Sequence, residues 1–88
     1  MRIRYFAAAR AAAGTHAEDL DLGAGALSRR EAGQRLALHH REPPPGQPLL
    51  THVLARSSFL LDGVACPDPA AQIPPGATLD VLRPFSGG

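Results

Sequence analysis

The stretch Phe59-Leu60-Leu61-Asp62-Gly63-Val64-Ala65 joins two apolar runs through an Asp-Gly pair. A tight hairpin turn needs positive φ at both central residues, and Asp-Gly supplies that at low steric cost, so the segment predicts a β-hairpin. Pro67 and Pro69 cut the return strand short, because proline cannot donate to a strand ladder. Downstream, Pro74-Pro75-Gly76 marks a turn, and Thr78 to Leu82 alternates, with Leu79 and Val81 on one face and Asp80 and Leu82 on the other. Pro84 ends that strand.

The same logic works upstream. Arg2 to Phe6 has period two, with Ile3 and Tyr5 opposite Arg4 and Phe6, which predicts a first strand. The alanine-rich run Ala7 to Ala13 favours helix and stops at Gly14, a residue suited to a left-handed C-cap. His16 to Leu22 places Leu20 and Leu22 at alternate positions, a second strand whose Glu18, Asp19 and Asp21 read as a solvated edge. Ser28-Arg29-Arg30-Glu31 fits a capping box opening a helix to about Arg41, with Ala32, Leu36, Leu38 and His39 as its apolar side. Pro43-Pro44-Pro45-Gly46 stops that helix in a surface loop. Pro48 suits a first helical position, before a short helix in which Leu49, Leu50, Val53 and Leu54 cluster. The order is strand, strand, helix, strand, short strand, strand. It predicts an α+β domain, a mixed sheet of four to five strands crossed by one main helix, spanning residues 1–88 with a flexible tail over 84–88.

Composition removes several function classes. Eighty-eight residues make one modest core and no cleft walled by two domains. Nine basic residues face eight acidic ones without clustering, which argues against a nucleic-acid footprint. All nine are Arg, so lysine Schiff-base and P-loop chemistry are absent. One cysteine, Cys66, permits no internal disulfide and no cysteine-based metal or iron–sulfur site, and it reads as a small packed residue rather than a nucleophile. His39 and His40 are adjacent, so on a helix they point about 100° apart and cannot grip one metal from one face. His16 and His52 lie in other segments, and no metal site is expected. Gly23 and Gly25 begin a phosphate-loop pattern that is not completed, so a plain turn is expected. No run approaches roughly 18 apolar residues, and the first strand is interrupted by charge; the expectation is a cytoplasmic protein that meets no membrane.

The C-terminus carries the remaining chemistry. Phe85-Ser86-Gly87-Gly88 follows directly on a well-patterned strand and has no charged side chain after Arg83. A main-chain carboxylate that must enter another protein's narrow site needs this composition, since glycine lets walls close on the backbone. A frayed terminus is the plain alternative. On a sheet covered by one helix layer, Phe6 and Leu82 would face outward on the side away from the helix, as a partner surface would.

These residues resemble a known family. Arg4-Tyr5-Phe6-Ala7-Ala8-Ala9-Arg10 with Gly14, Ser58 to Val64, and Ile73-Pro74-Pro75-Gly76 leading into Leu79-Asp80-Val81-Leu82-Arg83-Pro84-Phe85-Ser86-Gly87-Gly88 are similar to the small subunits of molybdopterin synthase, ubiquitin-like sulfur carriers related to the thiamin carrier. The likeness covers most of the chain and is poor between Ser28 and Leu50. It implies a ubiquitin-like β-grasp fold and a non-catalytic role. By resemblance, a ubiquitin-activating-like adenylyltransferase uses ATP to adenylate Gly88, and a sulfur donor protein converts it to 1-thioglycine, the thiocarboxylate. The tail then enters the large synthase subunit, within a heterotetramer, to donate sulfur to the pterin precursor of the molybdenum cofactor. Gly87, Ser86 and Phe85 would accompany Gly88 into the partner, Phe6, Arg10, Val64 and Leu82 would dock, and no cofactor would be bound. Two alternatives stand beside this: a carrier for thiamin or another thio-metabolite, and a β-grasp binding module without sulfur chemistry.

Overall fold

The computed structural model describes residues 1–21 and 25–84. Two strands pair in parallel at its centre, β1 (Arg2–Tyr5) and β7 (Thr78–Leu82), in the register Arg2↔Thr78 to Tyr5↔Val81. β2 (Ala17–Asp19) lies antiparallel on the outside of β1. β4 (Ser58–Leu61) lies antiparallel on the other side of β7, and β5 (Val64–Ala65) closes that edge. The order is β2-β1-β7-β4-β5, a mixed five-stranded sheet.

The registers set the two faces. Ile3, Tyr5, Phe59, Leu79 and Val81 share one face and are all buried, as period two requires. Against it pack α1 (Ala7–Ala13), α2 (Arg29–His39) and α3 (Leu50–Leu54), which contribute Ala9, Ala12, Ala32, Leu36 and Leu50 to the same core. A mixed sheet with its first and last strands parallel at the centre and a main helix packed across one face is the β-grasp architecture, here built from the α+β order expected.

Local chemistry fixes the element ends. At the hairpin, Asp62 and Gly63 have φ of 48° and 84°, the two positive values an Asp-Gly turn supplies. Asp62 also ties this turn to β7: its N–H donates to the Thr78 carbonyl, and its Oδ1 accepts from the Thr78 N–H, both at 2.9 Å. Gly14 caps α1 at φ 74° and donates to the Arg10 carbonyl. The Ser28 hydroxyl accepts from the Glu31 N–H while the Glu31 carboxylate accepts from the Ser28 N–H, each at 3.1 Å, completing the capping box.

Several expectations are corrected. α2 stops at His39 instead of about Arg41, because His40 leaves helical geometry (φ −122°, ψ 53°) and turns its ring toward Glu18. Leu38 is 64% exposed and does not join the apolar side of α2, and His39 is exposed as well. Pro48 precedes the helix cap: Leu49 stays extended (ψ 139°), so Leu50 enters the core as the first helical residue. Two further strands, β3 (Leu27–Ser28) and β6 (Gln72–Ile73), pair antiparallel and bury Leu27 against Ile73. The predicted second strand shortens to β2, with Leu20 buried just beyond it, while Leu22 and Gly23 lie outside the described residues.

Candidate functional site

β7 delivers the chain to Leu82, Arg83 and Pro84 from the middle of the sheet. Phe85, Ser86, Gly87 and Gly88 lie outside the described residues. The surroundings of Leu82–Pro84 are therefore where the predicted site residues can be placed.

The sheet face away from the helices is organised by one ion pair. Arg4 Nε and Nη2 donate to Asp80 Oδ1 and Oδ2 at 2.6 and 2.7 Å, a two-pronged contact between β1 and β7. The hydrogen bond and charge of Asp80 raise the Arg4 pKa above its ordinary value. Asp80 is almost wholly buried, and burying a carboxylate without a cation is costly, so this pair makes an otherwise awkward residue compatible with a central strand. The Arg4 guanidinium also lies 5.9 Å from the centre of the Phe6 ring. Phe6, as expected, faces outward with 40% of its surface exposed, and Arg10 is exposed one helical turn further on. Arg4, Phe6, Arg10 and His16 line a shallow cavity of about 450 Å³.

Leu82, expected on the sheet face away from the helices, is instead half-buried, because the end of β7 runs beside α1 and α3. It contributes to an apolar groove of about 490 Å³ between the start of α1, α3 and the end of β7. Phe6 and Leu82 thus flank the place where the chain leaves the sheet. Val64 does not join them. It is 69% exposed on the far edge strand, and its register with Leu61, itself opposite Leu79, sets it on the helix-covered side of the sheet. The residues expected to dock therefore divide, with Phe6, Arg10 and Leu82 at one end and Val64 apart.

Glu18 was expected as a solvated edge residue, and the structure overturns this. Its Oε2 accepts the Tyr5 hydroxyl at 3.0 Å and faces His40 Nε2 at 2.5 Å, while its Oε1 lies 3.5 Å from His39 Nδ1. The His40 ring meets Tyr5 edge-on, with centroids 5.9 Å apart. Burial, then the nearby Glu18 charge and its hydrogen bond, hold the Tyr5 phenol well above its ordinary pKa. This cluster ties β1, β2 and the end of α2 together. Nothing in the sequence announces it, because its members stand 13 and 22 residues apart.

Cys66 is buried, and Arg29 nearby lies 4.1 Å over the Phe59 ring while donating to the Pro67 and Asp68 carbonyls. Among the described residues, no three His, Cys, Asp or Glu side chains are placed to hold a metal ion. No helix among them is long and apolar enough to cross a membrane. The topology places the chain in the β-grasp class of domains. No protein-family model matches it, and no curated protein matches its sequence.

Proposed function

We propose that this chain is the sulfur-carrying small subunit of a molybdopterin synthase. The observation that supports this best is the run Leu79 to Gly88, in which the central strand of a β-grasp sheet continues into a Gly-Gly sequence with no charged side chain after Arg83. A carboxylate is a poor electrophile. Attack of the Gly88 carboxylate on the α-phosphate of ATP releases pyrophosphate and leaves an acyl adenylate with a good leaving group. A persulfide on a donor protein then attacks the acyl carbon and expels AMP, and a thiol reductant cleaves the resulting acyl disulfide to leave the thiocarboxylate. The thiocarboxylate is the soft nucleophile that attacks the pterin precursor inside the large subunit, and water then cleaves the Gly88 acyl–sulfur bond, leaving sulfur on the pterin and restoring the carboxylate.

The catalytic groups belong to the partners, and this chain contributes the sulfur, the arm and the docking surface. Gly87 lets the partner's walls approach the backbone, and Ser86 and Phe85 follow it into the channel. Phe6, Arg10 and Leu82 would dock at the base of the arm, with Val64 as a separate contact. Adenylation and transfer take place in the cytoplasm, and the working assembly is a heterotetramer with the large subunit.

The test is intact mass. Incubated with ATP, a cognate adenylating enzyme and a sulfur source, the chain should gain about 16 Da as one oxygen is exchanged for one sulfur. Unchanged mass beside an adenylating enzyme that modifies its own carrier would refute the proposal. So would a native polypeptide that continues past Gly88 without trimming. Addition of the large subunit and the pterin precursor then separates this assignment from a carrier for thiamin, since only the former is discharged.

A further inference from the structure

The groove beside Leu82 has a chemistry of its own. Its floor is built from small or apolar side chains, Ala7 and Ala8 of α1, Val53 of α3 and Leu82 of β7. Alanine methyls are short, so the helix surface there leaves a hollow instead of filling it. Ala7 holds φ at 52°, a left-handed value uncommon for a residue with a Cβ, where β1 turns into α1 and the hollow begins. Two cations, Arg56 and Arg83, stand at the rim. Both are exposed, no acidic residue lines the groove, and no hydrogen bond or ion pair engages either guanidinium among the described residues. A metabolite site of this size would need several converging polar groups, whereas this groove presents an apolar floor between two positive charges.

We propose that this groove docks a segment of a partner protein bearing an aliphatic or aromatic side chain flanked by carboxylates. The apolar side chain displaces water from the alanine, valine and leucine surface, and the carboxylates meet Arg56 and Arg83. The volume of about 490 Å³ has room for a large side chain together with its backbone. Exposed charge pairs add little affinity singly but set orientation and reject basic partners. The site is independent of any thiocarboxylate chemistry, and its test does not require it.

The isotopically labelled full chain is titrated with the peptide acetyl-Glu-Leu-Glu-Phe-Glu-amide and, separately, with acetyl-Lys-Leu-Lys-Phe-Lys-amide, following backbone amide shifts. The acidic peptide should shift the amides of Ala8, Val53 and Leu82 in a saturable way, and the basic peptide should not. The double variant Arg56→Glu, Arg83→Glu should weaken that binding by at least about fivefold, the effect of roughly 1 kcal/mol. Ala8→Trp, which fills the hollow, should abolish the shifts in a chain whose spectrum stays dispersed. Equal shifts with both peptides, or none at these amides, would overturn the proposal. So would the same three amides moving on truncation after Pro84 without any peptide, because the groove would then belong to the chain's own residues 85–88.

Discussion

Replacing Tyr5 by Phe removes one hydroxyl from a buried ring and leaves the packing of that ring in place. What is lost is the donor at 3.0 Å from Glu18 Oε2, a hydrogen bond to an acidic side chain. Bonds of this kind contribute about 1.5–3 kcal/mol, and Glu18 keeps its contact with His40, so the lower end applies, about 1.5–2 kcal/mol. In a domain of this size that lowers Tm by roughly 10 °C. The pH dependence adds a second, independent signature. The folded-state pKa of Tyr5 is raised, so its contribution is complete below the unfolded phenol value of about 10 and is lost as pH rises above it. Above pH of about 10, only the unfolded chain releases this proton, and wild-type stability falls by up to about 1.4 kcal/mol per pH unit relative to Tyr5→Phe. The difference between the two proteins should therefore shrink and vanish at a pH of about 11–12. Denaturant unfolding at a series of pH values measures it. The chain has one Tyr and no Trp, so phenolate absorbance follows this side chain alone. A difference that stays constant from neutral to alkaline pH, or phenolate appearing at the ordinary value in the folded protein, would refute the account of the Tyr5–Glu18 bond.

Gly14→Ala should destabilise by about 1–2 kcal/mol in thermal unfolding, since φ is 74° and the new Cβ would lie 3.1 Å from Pro44 Cγ. Phe6→Asp should leave Tm within a few degrees, because the ring is 40% exposed, yet weaken association with the large subunit by tenfold or more, about 1.4 kcal/mol, in a calorimetric titration. Deletion of Gly88 should abolish the mass gain on incubation with ATP, the adenylating enzyme and sulfur, and a truncated chain that still gains sulfur, now ending in the Gly87 carboxylate, would show that Gly88 itself is not required.

The fold is legible where the sequence carries local rules. The Asp62-Gly63 turn, the Ser28–Glu31 capping box, the Gly14 cap and the alternation through Ile3, Tyr5, Leu79 and Val81 each depend on residues within a few positions of one another, and each is present. Illegible features depend on long-range pairing. The Leu27–Ile73 ladder has two residues per strand, too few to display a period. Asp80 reads as an outward residue, and only Arg4, 76 positions away, makes its burial tolerable. Glu18 reads as solvated until Tyr5 and His40 are brought to it. Of the candidate site, the exposure of Phe6 and Arg10 follows from strand alternation and helix geometry, whereas the separation of Val64 is set by the hairpin register and edge position, which its sequence neighbourhood does not reveal.

The last strand of the sheet to be synthesised is also its middle one. A nascent chain still lacking Thr78–Leu82 has two halves with nothing between them, so folding on the ribosome must wait for that stretch to leave the exit tunnel. Prematurely terminated products cannot imitate the finished protein and are left open to proteolysis. Translation itself thus ensures that every folded copy has been read through to Leu82, at the threshold of its last residues.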